Sequence, residues 1–291
     1  RVAPRPRDAQ IGTHDMTGVG MTGVGTTGVG TTGLRASGLS AGYGERAVID
    51  ALDLDVLQGE LTVIIGPNAW GKSTLLRSLA RLLAPRAGSV LLDGDDIRSL
   101  PTKQVAQRIG LLPQTSIAPD GITVRDLVSR GRYPHQTLLS TWSPADEEAV
   151  ASAMSATDIT DLAGRPVDEL SGGQRQRVWI AMVLAQDTPI VLLDEPTTFL
   201  DISHQLEVLD LVSELRAQGR TVVAVLHEIN IAARYATHLI AMRDGRILAQ
   251  GAPSDILDEG LVRAVFGIDA RILPDPDTGA PVVLPRSRTI V

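Results

Sequence analysis

The sequence predicts an α/β fold, and three features of its pattern predict it. From Leu34 onward, short β-rich runs alternate with helical periodicity, as in a parallel sheet joined by crossover helices. A run of apolar and β-branched residues at 61–65 passes through a Gly-rich turn into 72–84, where Leu75, Leu76, Leu79, Leu82 and Leu83 share one helical face. Two further apolar runs, 190–193 and 221–226, alternate with helical patterns at 174–186 and 203–217 and read as core strands.

The remaining segments follow in chain order. Residues 1–33 carry a short recurring unit, MTGVG, MTGVG, TTGVG and then TTGLR, too poor in bulky apolar side chains to offset its ordering entropy. This stretch is expected to be a flexible tail, and Met16 and Met21 are candidate initiators. The span from about 116 to 170 has helical periodicity without strong strands, interrupted by Pro134 and Pro144, and reads as a helical subdomain. Arg243-Asp244-Gly245-Arg246, set between two apolar runs, signals a hairpin turn. Residues 269–291 form a terminal tail whose runs at 272–274 and 281–284 flank a Pro/Asp/Gly turn and suggest a last hairpin.

Composition removes several classes. With 43% hydrophobic and 21% charged residues over 291 positions, the chain is neither disordered nor fibrous. A formal net charge of −7 disfavours nucleic acid as the main partner, because that partner needs a cationic face. The absence of cysteine excludes disulfides, thiolate nucleophiles and Cys-based metal sites. No window approaches the roughly 18–20 apolar residues of a membrane-spanning helix. No apolar stretch follows the N-terminal arginines, so a cytosolic location is the default expectation.

Three motifs carry chemistry. Gly66-Pro67-Asn68-Ala69-Trp70-Gly71-Lys72-Ser73-Thr74 fits the phosphate-binding pattern GxxxxGK[ST] in its required place between a buried strand and a helix. Such a loop curls backbone N–H groups around a β-phosphate, with Lys72 reaching the β and γ oxygens and Ser73 ligating Mg²⁺. Asp194 and Glu195 end the apolar run 190–193, at the carboxyl edge where α/β sheets place ligands. There Asp194 suits a Mg²⁺ shell, and Glu195 suits the activation of water. Leu170-Ser171-Gly172-Gly173-Gln174-Arg175-Gln176-Arg177 supplies an N-cap serine and exposed N–H groups at a helix start.

The phosphate loop, then LSGGQRQR, then LLDEP, in that order, resemble an ATP-binding cassette (ABC) ATPase over most of 34–268. The resemblance implies a P-loop NTPase of the ABC ATPase type, with an antiparallel β subdomain beside the helical one, ATP and Mg²⁺ as cofactors, and two copies facing head to tail. It further implies that Tyr43, read as lying ahead of the first strands, stacks on adenine and that Gln114 touches Mg²⁺ or water and senses a membrane partner. Asp201 would cross the dimer interface, His227 would contact the γ-phosphate, and Ser171 and Gly173 would serve the opposite copy's nucleotide. As bland counterparts, Tyr43 could be a strand-end aromatic, Gln114 a polar strand terminus, Asp201 a helix N-cap and His227 a core histidine.

The segment 130–150, Arg130-Gly131-Arg132-Tyr133-Pro134-His135-Gln136 followed by an Asp-Glu-Glu-Ala-Val helix, and the segments 181–186, 200–205 and 249–253 are similar to the ATPases of ferric-siderophore importers, particularly the ferric-enterobactin type. That similarity implies a homodimer on the cytoplasmic side of the cell membrane, beneath integral-membrane permease subunits supplied by a siderophore-binding protein. Importers of heme or cobalamin are the nearer alternatives, and a non-transport ABC ATPase the remoter one. One position departs from the family. Trp70 stands where a small residue is usual, so nucleotide binding through backbone N–H groups should survive, with exchange or dimer closure most affected.

Overall fold

The computed structural model describes residues 33–114, 117–137, 142–198 and 200–286. The expectations placed on 1–32, on Ser116 and on Phe199 lie outside the described residues.

The described chain begins with the antiparallel pair β1 (Leu34–Tyr43) and β2 (Arg46–Val56), then β3 (Leu61–Ile65), α1 (Lys72–Leu79), β4 (Ala87–Leu92) and β5 (Asp95–Asp96). α2 (Thr102–Arg108) and β6 (Ile109–Leu112) lead to α3 (Val124–Ser129), α4 (Pro144–Ala156) and α5 (Gly172–Ala185). Next come β7 (Ile190–Asp194), α6 (Ile202–Ala217), β8 (Thr221–Val225), α7 (Ile229–Tyr235), β9 (His238–Arg243) and β10 (Arg246–Gly251). The described chain closes with α8 (Pro253–Ile256), α9 (Glu259–Phe266), β11 (Ala270–Pro274) and β12 (Pro281–Pro285).

Two main sheets result. One is antiparallel, in the order β2-β1-β4-β5; the other has six strands, β10-β9-β3-β8-β7-β6, parallel except for β10 at its edge. Every residue of β3, β7 and β8 is buried, as expected of continuous apolar, β-branched strands covered on both faces. The period-2 alternation of strand side chains splits the core. Val63, Val191, Leu193, Ala224 and Leu239 face the cluster that includes α3, α5 and α6, whereas Ile64, Leu192, Val223 and Ile240 face α1, β1 and β2. Asp244 and Gly245, both at positive φ, make the two-residue turn joining β9 to β10, the geometry that an Asp-Gly pair favours.

Two expectations need correction. The helix read over 72–84 ends at Leu79, because Arg81 turns left-handed at φ 61° and its guanidinium donates to Leu100 O at 2.6 Å. Leu82, read as part of that helical face, therefore lies beyond α1 and is 67% exposed. Tyr43, read as lying ahead of the first strands, is the last residue of β1.

Between β6 and β7 the described segments are helical. α3 and α4 pack on α5, each start being fixed by a side-chain cap: Thr123 for α3, and a Ser143/Asp146 capping box with Pro144 for α4. A buried ion pair ties this layer together. Arg132 Nε donates to Asp146 Oδ1 at 2.8 Å, and Arg132 Nη1 donates to Ala185 O at 2.8 Å. Asp146→Ala strips Arg132 of its counter-ion and removes the carboxylate half of the capping box, so unfolding free energy should fall by about 3 kcal/mol. Denaturant titration would measure this, and a loss below about 1 kcal/mol would contradict the assignment.

Candidate active site

The loop between β3 and α1 is shaped by where its backbone must go. Gly66 sits at φ 149°, and a Cβ there would lie 2.2 Å from Met242 O, so only glycine fits against β9. Ala69 adopts φ 65° without being glycine, a conformation costing about 1 kcal/mol that the surrounding contacts must offset. Lys72, 5% exposed, folds back and donates from Nζ to Gly66 O at 2.7 Å and Pro67 O at 2.8 Å. Burial pulls its ammonium below the usual lysine range, opposed by the carboxylates of Glu195 and Asp194.

Asp194 ends β7 directly opposite. Ser73 Oγ donates to Asp194 Oδ1 at 2.8 Å, while Asp194 Oδ2 is buried with no hydrogen-bond partner. Burial pushes this carboxyl above its ordinary value; the Ser73 hydrogen bond opposes the rise and the neighbouring Glu195 adds to it. An orphaned, buried carboxylate oxygen beside a serine hydroxyl is a donor set of hard oxygens. It fits a small divalent cation such as Mg²⁺, held by Asp194 and Ser73.

Glu195 follows at φ 56°, a second strained non-glycine residue in the same cluster. Its Oε1 lies 2.7 Å from His227 Nε2, and its Oε2 accepts from Thr198 Oγ1 at 3.3 Å. His227 stands just past β8. Sequence reading placed Glu195 and His227 separately at strand ends, and the structure pairs them.

Other predicted residues sit apart from this cluster. Ser171 and Gln174 form a capping box at the start of α5: Ser171 Oγ accepts from Gln174 N at 3.2 Å and Ser171 N donates to Gln174 Oε1 at 3.1 Å. The N–H groups of Gly172 and Gly173 are then among the unpaired donors of a helix start. Among the described residues no hydrogen bond or ion pair joins 171–174 to 66–74. Asp201 caps α6, accepting from His204 N at 3.0 Å, Ser203 Oγ at 3.0 Å and His204 Nδ1 at 2.6 Å. The His204 backbone N–H foremost, with these side chains, holds the Asp201 carboxyl below the usual range. Gln114 is exposed beyond β6. Tyr43, 47% exposed, accepts from Arg77 Nη1 at 3.2 Å.

Arg77 was missed by the sequence reading. It lies four residues after Ser73 on α1, the spacing that puts both on one helix face, and its charge faces Asp194. Asn230 on α7 was missed as well. Its side chain donates to Val283 O at 3.1 Å and accepts from Val283 N at 2.7 Å, fastening β12 to the helix that follows His227. No local pattern announces that contact.

Fold and site together define a phosphate-loop nucleotide hydrolase, with the loop, a cation-type carboxylate and a carboxylate/histidine pair at one edge of a mainly parallel sheet. Residues 49–198 match the family described as ABC transporter. The ferric enterobactin transport ATP-binding protein FepC of Escherichia coli (strain K12) is 56% identical over 249 residues, covering 85% of this chain and 92% of that one. The probable siderophore transport system ATP-binding protein YusV of Bacillus subtilis (strain 168) is 55% identical, with 86% and 91% covered. Among solved structures, a metal-chelate type ABC transporter in an inward-facing conformation superposes with a TM-score of 0.75 at 27% identity, covering 90% of this chain and 100% of that one. A dimeric bacterial ABC transporter cassette superposes at 0.68 and 27%, covering 75% and 98%. The chain belongs to the ABC transporter family, as an ATPase of that family.

The cluster's electrostatics generate a stability test. Asp194→Asn removes a buried charge yet keeps an acceptor for Ser73, so the nucleotide-free chain should gain about 1 kcal/mol, a rise of a few degrees in its thermal midpoint. A fall in the midpoint would contradict the view that burial of this carboxylate is a net cost.

Proposed function

We propose that this chain is the ATP-hydrolysing subunit of a ferric-siderophore importer, working as a homodimer on the cytoplasmic side of the cell membrane beneath a separate permease. The observation that carries the hydrolytic part is the meeting of Lys72, Ser73, Asp194, Glu195 and His227 at one sheet edge. The siderophore part draws on the names of the relatives and on the segments at 130–136, 181–186, 200–205 and 249–253. No described helix is long and apolar enough to cross a membrane, in keeping with a peripheral subunit that needs a separate permease.

The proposed roles follow from chemistry. Backbone N–H groups of 66–74 and Lys72 hold the β- and γ-phosphates; Lys72 exchanges two loop carbonyls for phosphate oxygens, a stronger, charge-assisted pairing. Ser73 and Asp194, with Gln114, hold Mg²⁺, which when bound offsets the negative charge of the phosphates. Glu195 accepts a proton from the attacking water, and His227, now paired with Glu195, turns to the γ-phosphate as nucleotide enters. Tyr43 offers its ring to the adenine.

A loose phosphoryl-transfer transition state spreads charge over several oxygens, and donors on one surface leave part of it uncovered. Ser171, Gly172, Gly173 and Gln174 supply the missing side from the second copy, with Asp201 lining the interface. Closure on ATP and reopening after hydrolysis then drive the permease. A groove of about 500 Å³ beside Pro113, lined by Leu82, Val105, Leu111 and Met182 among others, offers an apolar seat for a permease helix. Its position one residue from Gln114 supports a link from that seat to the nucleotide.

Glu195→Gln should bind ATP and retain the dimer while hydrolysis falls at least a hundredfold. Turnover at the parental rate would refute the assignment of the base. Cells lacking the protein should lose uptake of iron-labelled siderophore and keep uptake of labelled heme and cobalamin. The reverse pattern would reassign the cargo.

A further inference from the structure

The two ends of the phosphate loop lean on successive residues of β9. Gly66 abuts the carbonyl of Met242, and the ring of Trp70 lies under the Arg243 guanidinium, with Cζ 4.9 Å from the ring centroid. Arg243 is itself anchored, since its Nη1 donates to Ala264 O in the last turn of α9 and its Nε lies 3.7 Å from Asp244 Oδ2. The turn behind it is equally constrained: a Cβ on Gly245 would lie 2.0 Å from Val48 O. A guanidinium held at two points and laid over an indole face is attracted to the negative ring quadrupole, and arginine suits this geometry better than lysine does.

We propose that Arg243 is a positioning residue for the phosphate loop, acting through the face of Trp70 to hold the N–H donors at the start of α1 where a nucleotide's phosphates meet them. This rests on the reading of 66–74 as the ATP site. Trp70 immediately precedes Gly71, the N-cap of α1, so fixing the indole fixes the backbone that enters the helix. A small residue at position 70 offers no ring to Arg243, and the loop must then hold its pose without this contact. The bulky residue that departs from the family pattern is thus accommodated by a partner distant in sequence and contributes to the loop's pose.

The test is steady-state hydrolysis by the full-length chain, with the KM for ATP and kcat compared across variants. Arg243→Gln should raise KM about fivefold and leave kcat within twofold, the loss of one partly exposed cation–π contact. Trp70→Ser should give a similar rise, and the Arg243→Gln/Trp70→Ser double variant should be no worse than either single one, because both remove the same contact. Trp70→Phe, which keeps a ring under the guanidinium, should stay within twofold of the parent, whereas Arg243→Lys, which loses the planar stack and the anchor on Ala264, should raise KM toward the Arg243→Gln value. Unchanged KM in Arg243→Gln, multiplicative effects in the double variant, or Trp70→Phe behaving like Trp70→Ser would each overturn the proposal. A parent chain that takes no ATP would instead overturn the reading of the loop itself, and this proposal with it.

Discussion

The site depends on the register of three parallel strands. Ile64 of β3 pairs with Val225 of β8, and Val225 pairs with Asp194 of β7, so the three strands end within one residue of one another. Their next residues leave the sheet at one height: the loop from Gly66, His227 just past β8, and Glu195. Because strand side chains alternate with a period of two, slipping β7 by one residue would send Asp194 to the opposite face and exchange every buried side chain between the two core layers. The hydrophobic partition that makes the fold stable also sets the site's geometry.

That geometry is held at a cost that the core must cover. A buried carboxylate oxygen without a partner, a buried lysine, and non-glycine residues at positive φ at positions 69 and 195 all lie at this one sheet edge. Each is unfavourable in the nucleotide-free chain, and each presents a group that phosphate, cation or water can satisfy. The Ser73 to Asp194 hydrogen bond joins the start of α1 to β7, while Glu195 and His227 bind one another just past the ends of β7 and β8. Such paired arrangements are ready to exchange partners, as a cycle of binding and release requires.

Much of this is legible in the sequence because the decisive signals are local. The apolar runs of β3, β7 and β8, the GxxxxGK[ST] loop and the Asp-Gly turn each lie within a few residues, and the structure forms them where the pattern puts them. Signals fail where distant segments meet or where one torsion overrides periodicity. Leucines at 82 and 83 continue a helical face in the pattern, yet the left-handed turn at Arg81 ends α1 before them. The Arg243 contact with Trp70 and the Asn230 clamp on Val283 join residues far apart in the chain, and no spacing rule announces either. Ser171 and Asp201 read both as helix caps and as groups for a second copy. Their capping bonds within one chain are compatible with either, because a cap serine still exposes the N–H groups behind it.

The central claim is that each nucleotide is enclosed by Lys72 of one copy and Ser171 of the other. Mixing two inactive chains, Lys72→Ala and Ser171→Glu, tests it most directly, since a mixed dimer rebuilds one site from two undamaged halves and ruins the other. The account predicts ATP hydrolysis in the mixture well above that of either variant alone, maximal near equal proportions. A mixture no more active than its components would contradict it.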